Sequence, residues 1–459
     1  MSGSSQLAPA PFGARGKARR PLGVAFGRRF FLLLLIGLVW IGPAWTDTRY
    51  LAGMALWDGF VLVLWAIDLA RLPKPEQIEV RRLWPATLQL REETNATLEF
   101  TNRGKCGILL TAQEEAPLGL SREIPEVQAR IATGSTEEAT YPVCPRERGD
   151  MIFGLTHLRY QTVWQIAERW ASASLNQTIR IYPNLQESKR DTIYLIRSRQ
   201  IALEKRHKHQ PGQGREFESL REYRESDEWR DICWSATARR AKLISKSYQT
   251  ERSQTVWLVL DCGRLMRTRV KGLSKLDYAV GAALSLAQVA LYSGDRVAML
   301  GYGRKVTQRL PPGRGGGHVR ALLDGLALVR GEELEADHRR AVEALAMFQK
   351  RRSLVVWLTD LAETATTPEV VESAMHMARR HLVLFTVIGQ PELRALVNER
   401  PETPRAMFRQ TAALEIVQRR DLLLRSLRQQ GALTLEVEPA KLSTAIVNQY
   451  LMAKDRSLI

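Results

Sequence analysis

Two apolar runs in the first part of the chain constrain its fold more than any other feature. Phe30–Trp45 and Tyr50–Ala70 are separated by only four residues, TDTR, of which one is basic. A membrane-crossing helix needs roughly 20 apolar residues at about 1.5 Å per residue, so the second run is long enough and the first is short. We expect two transmembrane helices, 30–45 and 50–70, that form a hairpin with Asp58 inside the second helix. A cleavable signal peptide is the alternative for the first run, but no clean A-x-A site follows it.

Basic residues flank both outer ends of this hairpin. Residues 1–29 contain six Arg or Lys and no acidic residue, and we interpret them as a basic cytoplasmic tail. Arg71, Lys74, Arg81 and Arg82 follow the second run. Because positive charge concentrates on the cytoplasmic side, both termini and both soluble domains are predicted to be cytoplasmic. The four cysteines form no CxxC pair, which fits reduced thiols in that compartment.

The positive charge of the chain does not indicate nucleic-acid binding. The formal net charge is +18 over 459 residues. Beyond the N-terminal tail, however, Arg and Lys are interleaved with Glu and Asp. No basic stripe with interleaved aromatic residues, of the kind that binds single strands, is present in the sequence.

Residues 72–185 are predicted to form an all-β, sandwich-like domain. Stretches such as IEVRRLW, ATLEFTN and QTIRIYPN alternate with period two and are broken by Asn, Gly, Pro or Asp. Several short strands at this spacing are typical of a β-sandwich. No catalytic cluster stands out here, so we interpret the domain as a spacer or docking surface.

The pattern changes at residue 255, where strands become apolar throughout. VWLVLD and LVVWLTDL are continuous apolar runs, as in strands buried on both faces, and they alternate with helical stretches. This predicts a doubly wound α/β domain over 255–459. Ligands of such sheets bind at the carboxyl ends of the strands, where Asp261 and Asp360 fall.

The segment before this domain, 186–254, is predicted to be a linker followed by a motif. The motif, GREFESLREYRESDEWRDICWSATARR, resembles the signature of the bacterial family called domain of unknown function 58. Nearly the whole chain shares that family's order of a membrane hairpin, a β-domain, the signature and an α/β domain. The signature positions that match are Glu216, Phe217, Leu220, Arg221, Tyr223, Asp227, Arg230, Trp234 and Arg239.

The resemblance implies a protein of the bacterial cytoplasmic membrane with a von Willebrand factor A-like domain. Members of the family are often encoded beside MoxR-type AAA+ ATPases. They are thought to act with these ATPases, as adaptors or in the assembly of other complexes. No enzymatic activity belongs to the family as such. We therefore expect a non-catalytic adaptor whose partner is a MoxR-type ATPase; other membrane or A-type domain proteins are possible partners.

A-type domains hold a divalent metal with an Asp-x-Ser-x-Ser loop, a Thr and a second Asp. Here Asp261 and Asp360 match the acidic positions, but Gly263 and Leu265 lack the two hydroxyls. Mg²⁺ needs several oxygen ligands in near-octahedral array, so we expect weak Mg²⁺ binding or no cofactor. Two alternatives stay open: a Mg²⁺-dependent binding module with a residual site at these two residues, or an Asp261 that only caps the following turn.

The signature itself also permits two interpretations. It interleaves arginines, carboxylates and aromatic residues, which is the composition of an interface hot spot. It is equally the composition of a strap folded against its own domain, provided that the aromatic side chains are buried. Cys233-Trp234 resembles a protease nucleophile followed by tryptophan, but the Gly-rich context is missing and no histidine base is indicated.

Overall fold

The computed structural model of the protein describes residues 12–45, 47, 49–85, 87–117, 119–120, 125–184, 216–224, 229, 232–240, 242–249, 254–361 and 368–456. Its contacts divide the chain into two compact units, Met1–Asn184 and Leu185–Ile459.

The first unit joins a helical hairpin to an antiparallel β-domain. Its elements are β1 (Phe12–Phe26), α1 (Arg28–Gly37), α2 (Ile41–Ala44), α3 (Tyr50–Arg71), β2 (Ile78–Trp84), β3 (Thr94–Asn102), β4 (Ile108–Glu114), β5 (Glu126–Ile131), β6 (Thr136–Val143), β7 (Gly149–Thr162) and β8 (Ala167–Ile181). The strand order is β5-β4-β7-β8-β1-β2-β3-β6. Inward side chains from both halves of this sheet, such as Phe100 and Tyr160, share one buried core. A sandwich-like arrangement follows, because alternate residues of each strand turn inward.

The core of the β-domain also contains a buried ion pair. Arg82 on β2 donates from Nε and Nη2 to Glu114 Oε1 on β4, at 2.9 and 2.6 Å, and both side chains are fully buried. Arg82 also donates to the Leu175 carbonyl at 3.0 Å, and Thr156 Oγ donates to Glu114 at 3.1 Å. Partners on both sides of the pair offset the cost of removing two charges from water.

The prediction that residues 1–29 form a cytoplasmic tail is wrong for residues 12–26. These residues form β1, which pairs with β2 (Arg15 opposite Arg81) and with β8 (Ala18 opposite Ala173). The inward positions of β1 carry small residues such as Ala18, and Arg15 turns outward. Small residues next to arginines give a weak hydrophobic pattern in the sequence. They are nevertheless compatible with a strand here, because β2 and β8 provide the backbone hydrogen bonds and the larger side chains of the core.

The two apolar runs differ in the structure. The first is broken into α1, a 3₁₀ turn at Leu38–Trp40 and α2, whereas the second is the continuous helix α3. Among the described residues, only α3 is long and apolar enough to cross a membrane. The helices pack together, and a Cβ added at Gly37 of α1 would lie 3.2 Å from Asp58 Oδ1. Asp58 therefore faces the first helix.

The described part of the second unit starts with a hairpin and continues as an α/β domain. The hairpin contains β9 (Glu216–Glu222), α4 (Trp234–Arg240) and β10 (Ile244–Gln249). The domain contains β11 (Thr255–Asp261), β12 (Arg269–Val270), β13 (Leu273–Ser274), α5 (Lys275–Tyr292), β14 (Arg296–Tyr302), β15 (Val306–Gly313), α6 (Gly316–Leu328), α7 (His338–Phe348), β16 (Leu354–Thr359), α8 (Pro368–Ala378), β17 (Leu382–Ile388), α9 (Pro391–Asn398), α10 (Pro404–Gln429), β18 (Leu433–Val437) and α11 (Leu442–Asp455).

The sheet of the α/β domain has the order β15-β14-β11-β16-β17-β18. All neighbours are parallel except the edge strand β15, which contains two prolines and pairs antiparallel with β14. Alternate residues of β11 enter different cores. Leu258 packs on the side of α5 and α11, and Trp257 packs on the side of α7, α8 and α10. Helices thus cover both faces, which is why the central strands are apolar throughout.

Candidate functional site

Asp261 and Asp360 meet at the carboxyl edge of the sheet, as predicted from their positions after two buried strands. Asp261 ends β11 and Asp360 directly follows β16, the parallel neighbour of β11. Both side chains are nearly fully buried, at 3% and 2% exposure. They have different partners, however, and therefore different roles.

Asp261 caps the turn that follows its strand. Its Oδ1 accepts a hydrogen bond from the Gly263 N–H at 2.7 Å, and its Oδ2 accepts one from Thr359 Oγ at 2.6 Å. Burial raises the pKa of Asp261 above the ordinary value of an aspartate, while these two donors act in the opposite direction. The carboxyl group is thus used to order the backbone between β11 and α5.

Asp360 is held by two buried cations. Lys275 Nζ donates to Asp360 Oδ2, and Arg420 Nη2 donates to Asp360 Oδ1 at 3.2 Å. Arg420 Nη1 also lies 3.5 Å from Glu436 Oε1. Lys275 and Arg420 are 0% and 3% exposed. Two positive and two negative groups therefore neutralise one another where an A-type domain would hold a metal, and we name Lys275, Asp360, Arg420 and Glu436 the ionic cluster.

Helix α5 begins so that Lys275 points into this cluster. Ser274 is the N-cap: its Oγ accepts from the Asp277 N–H at 3.1 Å, while Asp277 Oδ2 accepts from the Ser274 N–H at 3.0 Å. This reciprocal capping box fixes the first turn of the helix. Burial lowers the pKa of Lys275 below that of an exposed lysine, and its contact with Asp360 opposes that shift. The contact is what allows a lysine to be buried at this position.

The loop after β11 has no room for the hydroxyl that an A-type metal loop carries at position 263. A Cβ built on Gly263 would lie 2.8 Å from the Ala336 backbone nitrogen and 3.0 Å from the Ala336 Cβ. Any side chain there would require the backbone to move. Among the described residues, no group of three or more His, Cys, Asp or Glu is placed to hold a metal ion. A divalent cation at Asp360 would have to displace Lys275 and Arg420.

A buried polar chain lies behind Asp261. Trp357 Nε1 donates to Tyr302 Oη at 2.6 Å, and Tyr302 Oη is 2.8 Å from His338 Nδ1. Because the indole only donates, the Tyr302 proton is available to His338. Burial raises the pKa of Tyr302 well above its ordinary value. Trp357, Tyr302 and His338 thus pair their buried polar atoms with one another next to the carboxyl edge of the sheet.

The sequence signature folds as the hairpin of β9, α4 and β10. Glu216, Phe217, Leu220 and Arg221 lie on β9, with Tyr223 just beyond it, and β9 pairs with β10. Trp234 and Arg239 lie on α4, whose start is tied to β10 by the Cys233 N–H donating to the Ile244 carbonyl at 2.8 Å. The remaining signature residues, Asp227 and Arg230, lie outside the described residues.

Two tryptophans of the signature face solvent. Trp229 is 71% exposed and Trp234 is 64% exposed. Leu220 and Leu243 of the same hairpin are 38% and 42% exposed. The Trp229 ring lies near Tyr223 of the same hairpin, with ring centroids 6.1 Å apart. A strap folded onto its own domain would bury these rings, so the exposure favours a partner surface.

Cys233, beside Trp234, is a partly exposed thiol just before α4. Its sulfur lies 3.4 Å from Ser235 Oγ, and this hydrogen bond lowers the pKa of Cys233. No disulfide joins any two of the four cysteines, Cys106, Cys144, Cys233 and Cys262.

The sequence pattern did not reveal Lys275, Arg420 and Glu436 as members of the site. Arg420 is one of many arginines of α10, and Lys275 and Asp360 are far apart in sequence. The one local signal was the Ser-x-x-Asp capping box, which marks the start of α5 and hence the direction of Lys275.

Part of this region matches a family model. Residues 219–398 match the family model described as Protein of unknown function DUF58. Uncharacterized proteins of Mycobacterium bovis and Mycobacterium tuberculosis are 28% identical over 184 residues, which is 39% of this chain. The chain spans 57% of the length of these curated relatives.

Several solved structures show weaker likeness. An aerotolerance-related membrane protein from Bacteroides fragilis is 14% identical, with a TM-score of 0.29, over 43% of this chain and 98% of its own. The conserved hypothetical protein BatB from Bacteroides thetaiotaomicron is 14% identical, with a TM-score of 0.32, over 44% of this chain and 100% of its own. Residues 219–398 therefore carry the match to the DUF58 family model, and the sheet order around them is that of an α/β domain with a parallel central sheet.

Proposed function

We propose that the protein is a membrane-anchored adaptor that binds a partner through its signature hairpin and performs no chemistry of its own. The observation that carries this proposal is the exposure of Trp229 and Trp234. Tryptophan is the residue type most enriched at the energetic centres of interfaces, because it buries a large rigid surface at low entropic cost. Two such rings on one small hairpin form a compact docking surface.

The ionic cluster supports binding that needs no metal. Metal-dependent A-type binding requires an aspartate that is free to coordinate a cation. Here Asp360 is neutralised by Lys275 and Arg420, and Asp261 is used in capping. The carboxyl edge then acts as a fixed scaffold, and recognition falls to exposed side chains elsewhere in the unit.

The connectivity of the β-domain supports an anchor that enters and leaves the membrane on one side. The apolar helices lie in sequence between β1 and β2, and these two strands pair directly with each other. A sheet cannot be divided by a bilayer, so the chain must cross the membrane an even number of times between the strands. The basic residues at both outer ends of the hairpin favour the cytoplasmic side for the β-domain.

We propose that the partner is a MoxR-type AAA+ ATPase, as the family resemblance implies. The test is a detergent pull-down of tagged full-length protein in Mg²⁺ or EDTA, read by mass spectrometry. The variant Trp229→Ala/Trp234→Ala is compared with Tyr292→Ala, which removes an equally exposed aromatic ring (67%) from α5 of the same unit.

We expect the wild type and Tyr292→Ala to retain an AAA+ ATPase and the double variant to lose it. Recovery in EDTA as well as in Mg²⁺ supports metal-independent binding. Equal recovery by all three proteins contradicts the docking role of the hairpin. Failure of the wild type to recover any ATPase contradicts the proposed partner.

A further inference from the structure

The β-domain is attached directly to the first apolar helix, without a linker. One residue, Gly27, separates β1 from α1. Its N–H donates to the Ile166 carbonyl at 2.7 Å, and the Arg29 N–H donates to the Gln165 carbonyl at 3.2 Å. A Cβ at Gly27 would lie 2.2 Å from the Gln165 carbonyl oxygen, so only glycine allows this approach. Helix α1 therefore starts against the turn between β7 and β8, residues 163–166, which we name the β7–β8 turn.

The last turn of α3 is fixed to the same place. Asp68 is fully buried and accepts from Thr162 Oγ at 2.5 Å, from the Ile166 N–H at 3.2 Å and from the Ala167 N–H at 2.9 Å. Arg169 on β8 donates to the Pro73 carbonyl at 3.1 Å, just beyond the helix. Three donors satisfy the buried carboxyl group, so it serves as a rigid clamp between helix and turn.

The apolar surface of the hairpin continues into the β7–β8 turn. Ile166 is buried in one cluster with Phe30 of α1 and Val61 of α3. Outside this cluster α3 exposes large apolar side chains, including Leu56 at 77% and Phe60 at 53%. Exposed apolar side chains along a helix that is long enough to cross a bilayer form the kind of surface that lipid covers.

The exposed part of the turn has the composition of a membrane–water interface. Val163 and Trp164 are 51% and 41% exposed. The Arg71 guanidinium lies 4.3 Å from the centre of the Trp164 ring. Exposed Arg28 and Arg29 begin the first helix beside the same turn. Tryptophan and arginine concentrate at this level of a bilayer, where the ring meets the headgroups and the cation meets their phosphates.

We propose that the β7–β8 turn lies in the headgroup layer of the membrane, with Val163 and Trp164 inserted and Arg28, Arg29 and Arg71 on anionic lipid. This rests on the membrane anchor of the proposed function. The occupant is lipid rather than a protein because the turn is clamped to the ends of the apolar helices by Asp68 and Gly27. The β-domain then stands directly on the membrane surface instead of hanging from a flexible stalk.

Photo-crosslinking of the full-length protein in vesicles tests this placement. Benzoylphenylalanine replaces Trp164, or Ile152 as the control. Ile152 lies on β7, the strand that leads into the turn, and is more exposed (71%), but it is ten residues before the end of that strand at Thr162, or about 33 Å along it. Vesicles contain phosphatidylcholine alone or with phosphatidylglycerol, and carbonate extraction is performed on each sample.

We expect lipid adducts with benzoylphenylalanine at position 164 and no lipid adducts with it at position 152. The yield at 164 should rise with phosphatidylglycerol and lose that rise in Arg28→Gln/Arg29→Gln. Protein that resists carbonate but gives no lipid adduct at 164, or protein adducts only, overturns the inference while leaving the anchor intact. An adduct yield independent of phosphatidylglycerol overturns the anionic preference. Release by carbonate overturns the anchor itself.

Discussion

Replacing Lys275 by methionine tests whether the ionic cluster stabilises the α/β domain. Lys275 is fully buried, and removing one partner of a buried ion pair costs about 3–5 kcal/mol, because the other charge stays buried. Arg420 would still contact Asp360 at 3.2 Å, so we expect the lower end, about 3 kcal/mol. That corresponds to an increase of roughly a hundredfold in the opening of the domain.

Hydrogen exchange read by mass spectrometry measures this opening in the full-length protein in detergent. Peptides from β11 and β16 report the free energy of unfolding around Asp261 and Asp360. In Lys275→Met/Asp360→Asn the unpaired anion is removed too, so the second substitution should recover about 1–3 kcal/mol. Lys305→Met, at an exposed lysine of the same domain, should stay within about 0.5 kcal/mol of the wild type. If Lys275→Met exchanges no faster than Lys305→Met, the reasoning is refuted.

Mg²⁺ provides a second arm of the same experiment. If the folded domain bound Mg²⁺, a free Mg²⁺ concentration of 100 times the Kd would raise its free energy of unfolding by about 2.7 kcal/mol. We expect exchange of wild-type β11 and β16 to be equal in millimolar Mg²⁺ and in EDTA, because Lys275 and Arg420 already neutralise Asp360. Slower exchange in Mg²⁺ would revive the metal-dependent alternative.

Three further substitutions have defined outcomes. Gly27→Ala should accelerate amide hydrogen exchange at the start of α1, because its Cβ would collide with the Gln165 carbonyl. Gly59→Ala is the control, since the space around Gly59 is open and exchange should not change. Equal exchange in the two variants would contradict the close approach at Gly27. Arg82→Met should lower the free energy of unfolding of the β-domain by about 3–5 kcal/mol, measured by urea unfolding. The double variant Arg82→Met/Glu114→Gln should recover part of this loss. An Arg82→Met variant as stable as the wild type would contradict a stabilising role for the ion pair. Burial lowers the pKa of His381 in the folded protein below its value of about 6.5 in the unfolded chain. As the pH falls below about 6.5, the unfolded chain therefore takes up a proton before the folded protein does, and the free energy of unfolding decreases. His381→Gln should flatten that part of a thermal-shift profile, and an unchanged profile would assign the slope to other groups.

Hydrophobic periodicity predicted the strand–helix alternation of the second unit because its central strands are buried on both faces. β11, β16 and β17 are unbroken apolar runs, and the position of Asp261 and Asp360 follows from where such runs end. β15 lacks this signal: it is an edge strand with two prolines and half-exposed residues.

The strand β1 and the ionic cluster were beyond the reach of local patterns for a different reason. β1 owes its structure to β2 and β8, which lie far along the chain, and its own residues are small or basic. Lys275 and Arg420 are common exposed residue types elsewhere, and only the fold brings them to Asp360. Pairing between distant residues is set by tertiary packing, so neither charge nor period in a local window can reveal it.

The pairing of β1 with β8 determines the order of events while the protein is being made. Ala18 pairs with Ala173, so β1 waits for its partner for roughly 10–30 s at ordinary rates of synthesis. During that interval the apolar segments between β1 and β2 leave the ribosome before the β-domain can close. In the proposed membrane arrangement, β1 must stay on the side of the membrane where β8 will emerge, and completion of the sheet then holds the hairpin in place. In that arrangement, insertion of the helices and folding of the β-domain are coupled.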